Sequence, residues 1–217
     1  MTVLAGSEEI RFIEVVAIAM IPLAYLLGAV PSGYLIGKLS KGIDIREHGS
    51  GKTGMSNVLR SVGKKAAFVV LLSDFLKGMV AVILVQMLTD SSVLLVAVAI
   101  AVLLGHNYSI FIGFHGGAGV LTGVGTLFAF IPLTGVMAAL VGGLVILLFR
   151  YMSLGSLTGT LAALLTGAYL WAVHDYEGTG TIYILIGACL IFFRHKENIY
   201  RLAAGKEPKI GNSFRAY

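Results

Sequence analysis

Residues 91–149 read SSVLLVAVAIAVLLGHNYSIFIGFHGGAGVLTGVGTLFAFIPLTGVMAALVGGLVILLF, 59 residues with no Asp, Glu, Lys or Arg. A bilayer is crossed by about 20 apolar residues, so this run alone holds more than one crossing. Its middle, GHNYSIFIGFHGGAG at 105–119, is too rich in glycine and histidine for a plain span. It reads as a third helix ending near Gly105, followed by a loop or re-entrant piece. The remainder, to Phe149, is either one overlong helix or two short ones broken around Pro132 and Gly135.

The rest of the chain has the same character. Of 217 residues, 57% are hydrophobic and 12% charged, about half the charge of an ordinary soluble domain. Mean hydropathy is +0.91, and the 28 glycines suit membrane helices, where glycine is commoner than in soluble ones. A single polytopic domain over 1–217 follows, all-α and integral to the membrane. A soluble nucleic-acid binder is excluded despite a pI of 9.4, because the basic residues lie between apolar runs. Cys189 has no second cysteine to pair with and reads as a small packing residue.

Outward from the central run, Val15–Gly37 is the first span; Glu8, Glu9 and Glu14 against one Arg11 argue against a cleaved signal. Ala66–Leu88 is the second, carrying Asp74 and Lys77. Asp90 marks a turn. Leu154–Val173 and Thr179–Phe193 complete the set, separated by HDYEG at 174–178. Charge parity decides the ambiguous pair. Lys38–Lys65 holds seven Lys/Arg, Arg150 is one, and Arg194–Tyr217 holds six, 14 of the 16 in the chain. These belong on the cytoplasmic side, which requires two helices between 120 and 149. The expectation is seven spans, the N-terminus outside and the C-terminus cytoplasmic. Three polar, glycine-punctuated segments then meet on the cytoplasmic face.

The first, DIREHGSGKTGMSNVLRSVGKK at 44–65, has Gly49, Gly51 and Gly54 to turn the backbone and expose amides, which bind anions. Ser50, Ser56 and Asn57 add neutral donors; Arg46, Lys52 and Arg60 add charge, and arginine grips phosphate or carboxylate bidentately. A flexible basic loop is the plainer alternative. GSGKT is not a nucleotide-binding P-loop, since Arg46 stands where its first glycine would be and no apolar strand precedes it. The second segment offers His106, His115, Gly116, Gly117 and Gly119, either as an anion cradle or as close helix packing through Gly119 and Gly123. Histidines nine apart with no carboxylate between Asp90 and Asp175 do not suggest a metal site. In the third, RHKENIYRLAAGKEPKIG at 194–211, Arg194, His195, Asn198 and Arg201 fall at helical spacings. Asp74 and Lys77, one turn apart at membrane depth, read first as a neutralising pair and second as ligand contacts. His174 reads as interfacial.

Together these stretches resemble the bacterial acyl-phosphate-dependent glycerol-3-phosphate acyltransferases, the PlsY family. GSGKTGMSNVLRSVGKKAA with SDFLKG (within 44–78) resembles its first motif, GHNYSIFIGFHGGAGVLT (105–122) its second, and RHKENIYRLAAGKEP (194–208) its third. The resemblance implies a bacterial inner-membrane enzyme, with its site facing the cytoplasm. It would move a fatty acyl group from acyl phosphate to the sn-1 hydroxyl of glycerol 3-phosphate, giving lysophosphatidic acid and phosphate. It implies Ser50, Arg60, His195 and Asn198 as the working site. Gly49, Gly51, Lys52, Arg46, Ser56, Asn57, Gly116, Gly117, Gly119 and Thr122 would bind substrate phosphate, with Asp74, Lys77, His106 and Arg201 accessory. No metal and no cofactor are implied; the partners are the two substrates and membrane lipid, with no nucleic acid, and the oligomeric state, a monomer among the options, stays open.

An acyl phosphate is already activated, so no covalent nucleophile is required, and no histidine here has an Asp five positions on: those positions are Thr53, Phe111, Val120, Thr179 and Tyr200. Positioning and phosphate clamping would carry catalysis, with a substrate phosphate or His195 as proton acceptor and an apolar groove for the acyl chain. In two places the chain departs from the family pattern: Lys52 stands where Asn is usual, and Ala118 where Lys is usual. One ammonium is lost and one gained, so Lys52 is expected to reach into the pocket in place of the missing cation. Other readings are a small transporter or flippase for a phosphorylated solute, and an impaired family member that only binds acyl phosphate. A CDP-alcohol phosphotransferase is disfavoured, because Asp clusters are absent.

Overall fold

The computed structural model describes residues 2–174 and 178–211. The expected acidic turn at Asp175 and Glu177, and the side chains of Glu8, Glu9, Arg11, Glu14 and His174, lie outside what is described. Among the described residues there are helices and no strand. In order these are α1 (Thr2–Ala29), α2 (Ser32–Lys41), α3 (Met55–Ser61), α4 (Lys64–Gln86), α5 (Ser92–Asn107), α6 (Val120–Phe130), α7 (Pro132–Phe149), α8 (Met152–His174), α9 (Gly178–Arg194) and α10 (Lys196–Ala203). Single 3-10 turns sit at Ile45–Glu47 and Ile110–Ile112.

Proline places two of the breaks. Pro31 has no N–H to continue α1, so the first apolar run, expected as a span over Val15–Gly37, is broken there into α1 and α2, which together still make one candidate span, Ile18–Lys41. Ile131 leaves the helical region (φ −136°, ψ 76°) because Pro132 follows it, and Pro132 then opens α7 at its first position. The stretch from Val120 to Phe149 is thus two helices. Gly135 lets α7 fold back on α6: a Cβ there would lie 2.7 Å from the Phe128 backbone nitrogen.

The all-helical membrane architecture agrees with the sequence, but among the described residues seven full-length crossings are not seen. Five described segments are long and apolar enough to span: Ile18–Lys41, Lys64–Gln86, Ser92–Ile112, Pro132–Phe149 and Met152–Val173. The pair α9 and α10, bent by 61°, makes a sixth. Helix α6, with 11 residues, is about 16 Å long at ~1.5 Å per residue, half of a ~30 Å hydrocarbon core.

Three further helix pairs, besides α6 with α7, pack with their backbones almost touching, each through glycine. A Cβ on Gly28 would lie 2.0 Å from the Val102 carbonyl oxygen and one on Gly105 2.1 Å from that of Tyr25, which draws α1 onto α5. Gly78 faces the Thr122 carbonyl and Gly125 that of Phe75, between α4 and α6; Gly142, Gly155 and Gly159 do the same between α7 and α8. Van der Waals contact of this kind, not hydrophobic exclusion, associates helices in lipid. The buried core runs through Val82, Val85, Val98, Val102, Leu127 and Tyr183. Leu147, Leu148 and Phe193 are exposed on the outer surface. So is Cys189, which corrects its reading as a packing residue: it lies on the outward face of α9.

At one end, the chain after α10 pairs with the α7–α8 turn. The Ile210 N–H donates to the Arg150 carbonyl at 2.7 Å, and the Arg150 guanidinium donates to the Ile210 carbonyl at 2.7 Å. Arg150 is left-handed there (φ 64°), capping α7. This docking brings Glu207 to Ser153 in the first turn of α8.

Candidate active site

A cavity of about 360 Å3 opens where the three polar segments meet and continues between α6, α7, α8 and α9. Its polar end carries Ser50, Lys52, Ser56, Asn57, Arg60, His195, Asn198 and Glu207; its inner walls are Val124, Leu127, Ala138, Gly143, Ala163, Tyr183 and similar residues. All four residues expected at the working site therefore share one cavity. Lys52 and Arg60 line its polar end, and the contacts Lys52–Arg194 and Arg150–Ile210 tie the basic segments 38–65, Arg150 and 194–211 to one another.

Asn57 builds the first loop. It is 1% exposed; its Nδ2 donates to the carbonyls of Ile45, His48 and Lys52 at 3.0, 2.8 and 2.9 Å, and its Oδ1 accepts from the Ser50 amide at 3.1 Å. The Gly51 N–H donates to the His48 carbonyl. The Ser50 and Gly51 amides are therefore spent within the loop, and the expected cradle of consecutive free amides does not form there. Gly49 is required for a different reason: at φ 59° a Cβ would lie 2.1 Å from Asn57 Oδ1. Neither Gly49 nor Gly51 lines the cavity.

Arg46 is also diverted. Its guanidinium pairs with Asp44 at 2.7 Å, donates to the Ile112 carbonyl at 3.2 Å, and lies 5.0 Å over the Tyr34 ring. The hydrogen bond from Arg46 holds the Asp44 carboxyl down at about 2. Arg46 thus joins the first loop to the second and is not a cavity residue.

The second loop presents carbonyls where amides were expected. The Gly117 N–H donates to the His106 carbonyl at 3.0 Å. The Gly116 and Gly117 carbonyls accept from Arg194 at 2.9 and 3.0 Å, its guanidinium stacked 5.4 Å over Tyr108. A Cβ on Gly117 would lie 2.0 Å from His106 Nε2 and one on Gly116 2.2 Å from the His106 carbonyl oxygen. These two glycines serve close packing and stay off the cavity surface, as does Thr122, wholly buried beside Gly78. Ala118 and Gly119 do line the cavity, at the start of α6. His115 is exposed and meets only its own loop, at the Gly113 carbonyl.

Lys52 points inward. Its ammonium donates to the Arg194 carbonyl and to Asn198 Oδ1, the latter at 3.3 Å. Burial and the nearby Arg194 charge hold it down at about 8. Arg60, also partly buried, is pulled below its ordinary value by desolvation and stays charged. His195 is 6% exposed with Nδ1 2.8 Å from the Ile191 carbonyl. A carbonyl only accepts, so Nδ1 carries the proton and Nε2 is left as an acceptor.

Glu207 and Ser153 were missed from sequence. Glu207 Oε1 accepts from Ser153 at 2.7 Å and from Asn198 Nδ2 at 2.8 Å, while Oε2 accepts from Arg201 at 2.7 Å. Burial would raise this carboxyl, but hydrogen bonds from Asn198, Ser153 and Arg201 outweigh it and lower it. Asn198, held from both sides by Lys52 and Glu207, keeps a fixed amide orientation. An acid in a basic tail was a signal for Glu207; Ser153 offered none. Arg201 stands behind Glu207 and off the cavity surface. Deeper, Lys77 pairs with Asp74 at 2.9 Å and donates to the Val30 carbonyl at 3.2 Å, with His106 Nδ1 3.6 Å from the same carboxylate. Asp74 and His106 border the cavity; Lys77 does not.

Comparison with known proteins accounts for this arrangement. Residues 18–205 match the family model described as "Glycerol-3-phosphate acyltransferase". The glycerol-3-phosphate acyltransferase of Thermoanaerobacter sp. (strain X514) is 42% identical over 189 residues, 87% of this chain and 93% of the relative. That of Thermus thermophilus is 42% identical over 198 residues, 89% and 95% of the two chains. A crystal structure of PlsY (YgiH), an integral membrane glycerol 3-phosphate acyltransferase in its glycerol 3-phosphate form, superposes with a TM-score of 0.83. It is 40% identical, with 90% of this chain and 96% of that one covered. Its lysophosphatidic acid form gives 0.80 at 39% identity. With the match running through all three polar segments and the helices that carry them, the chain belongs to the glycerol-3-phosphate acyltransferase family.

Proposed function

We propose that this protein transfers a fatty acyl group from an acyl phosphate to the sn-1 hydroxyl of glycerol 3-phosphate, releasing lysophosphatidic acid and inorganic phosphate. One observation carries the reading: a single cavity joins an end lined by cations and hydroxyls to a deep apolar well. A phosphorylated acceptor suits the first and a fatty chain the second, so the acyl carbon is held beside the hydroxyl at their junction.

Arg60 and Lys52 hold phosphate oxygens, Arg60 with its planar fork. Ser50 and Ser56 supply neutral donors. Asn198, fixed between Lys52 and Glu207, donates toward charge developing on the carbonyl oxygen. His195 Nε2 accepts from the neighbouring sn-2 hydroxyl and so aligns the acceptor, leaving the sn-1 O–H free to face the donor phosphate. The new ester C–O bond forms as the anhydride C–O bond breaks, and the departing phosphate takes the hydroxyl proton. Lys52 fills the place of a cation that Ala118 cannot supply, from the opposite loop. The 14 Lys/Arg grouped in sequence around these segments support an orientation with the site facing the cytoplasm of a bacterial inner membrane and the N-terminus outside.

The test is phosphate release by purified protein in detergent or lipidic mesophase, given palmitoyl phosphate with and without glycerol 3-phosphate. Acceptor-dependent release with lysophosphatidic acid identified by mass is expected. Absence of both from folded protein would sink the reading. A transporter would instead move the phosphorylated solute into proteoliposomes unchanged. The phosphate-holding cations Lys52 and Arg60 line the polar end of the cavity, while Asp74 and Lys77, deeper along α4, pair with each other, against that alternative.

A further inference from the structure

The apolar well ends abruptly. Its last four residues are Leu127 on α6, Ala138 on α7, Ala163 on α8 and Tyr183 on α9, at 7%, 5%, 4% and 2% exposure. Each also belongs to the packed apolar core, so the well stops against solid protein. From Arg194, the last residue of α9 and next to His195, back to Tyr183 is eleven residues, about 17 Å at ~1.5 Å per residue. One leaflet of a ~30 Å hydrocarbon core is about 15 Å deep. The well is therefore about as deep as the chain of a lipid in the surrounding leaflet.

Tyr183 is the residue least able to yield. Thr126 donates to the Gly123 carbonyl at 2.7 Å, so the Tyr183 hydroxyl donates to Thr126 Oγ1. Its ring lies against Phe130, centroids 6.4 Å apart. The walls above it are built for occupancy: a Cβ on Gly143 would meet nothing within 4 Å, and one on Gly187 only Leu103 at 3.7 Å.

We infer that Tyr183, propped by Thr126, is the stop that sets the acyl-chain length this protein transfers. The inference rests on the acyl-transfer reading above. A donor short of the stop leaves apolar surface unfilled, and one beyond it must bend or push packed side chains off their rotamers. A methylene in such a pocket is discriminated by roughly 10- to 200-fold.

The experiment measures kcat/KM for saturated acyl phosphates of about 8 to about 18 carbons, a span wide enough for per-methylene discrimination to show. Tyr183→Ala and Gly143→Phe are compared with the unaltered chain. Tyr183→Ala deepens the well, and the preferred donor is expected to lengthen. Gly143→Phe fills it about 7 Å above Ala138, five residues along α7, and the ratio of long-donor to short-donor kcat/KM is expected to fall about tenfold or more. If emptying a packed site unfolds Tyr183→Ala, Gly143→Phe decides alone. An unchanged length profile in folded variants overturns the inference. No transfer by the unaltered chain with any donor would overturn the acyltransferase reading instead.

Discussion

Lys52 joins the first loop to the third segment and supplies a cation that titrates near neutrality. In the free protein it loses its proton above about 8. The kcat/KM for glycerol 3-phosphate is therefore expected to be flat below that value and to fall above it, as charge leaves the cavity. Bound phosphate stabilises the ammonium, so kcat should fall only at higher pH. Lys52→Arg should remove the alkaline fall from the accessible range, because a guanidinium stays charged; a fall unmoved in that variant would assign it to another group. Lys52→Asn should lower kcat/KM roughly tenfold to a hundredfold, the worth of one charge-assisted hydrogen bond of ~1.5–3 kcal/mol, and full activity would show that Lys52 does not replace the missing cation. Ser50, Arg60, His195 and Asn198 were singled out by the resemblance of their segments to the family's motifs, and all four line one cavity. Sequence misjudged Arg46, Gly51, Gly116 and Gly117, since whether a guanidinium or an amide is free depends on partners brought in from elsewhere: Asp44 and Ile112, His48, and His106 with Arg194.

At the scale of elements, uncharged runs and prolines mark most of the helices, and charge parity requires the α6–α7 break, which Pro132 supplies. The shortness of α6 was not legible. The apolar run continues through Ile131 into α7, and only backbone geometry marks where one helix stops. Glycine content signalled close packing without saying which helices meet. Gly125 belongs to the α4–α6 contact, where a Cβ would lie 2.0 Å from the Phe75 carbonyl oxygen. Gly125→Leu is expected to push the two helices apart and destabilise the fold by about 1–3 kcal/mol or more, read as loss of monodisperse protein and a lower Tm in detergent. Gly143→Ala, with open space at its Cβ, should leave Tm within a degree or two or raise it slightly, because alanine is the better helix former by about 1 kcal/mol. Between α4 and α5, Asp74 and Lys77 are 3% and 5% exposed in their side chains. Lys77→Met alone strands a buried carboxylate and should cost about 3–5 kcal/mol, and Asp74→Asn with Lys77→Met should recover most of it. Equal Tm values for the single and double variants would count against that account.

For the molecule as a whole, the proposed orientation is open to direct labelling. In a background with Cys189→Ser, Ser91→Cys should react with a membrane-impermeant thiol reagent in intact spheroplasts, while Lys41→Cys should react only after permeabilisation. The reverse pattern would turn the molecule over and place the cavity mouth outside. The docking of residues 206–211 onto the α7–α8 turn carries a consequence for biosynthesis. The carboxylate that orients Asn198 belongs to a segment translated after every helix described here, and its anchor at Ile210 closes onto Arg150, sixty residues earlier in the chain. A nascent chain still threaded in the ribosome can insert every helix described here and yet lack a finished site. Catalytic competence thus arrives as a late event in the protein's making, after insertion into the bilayer is done, so that chains stalled or clipped before Glu207 are expected to remain inert in the membrane.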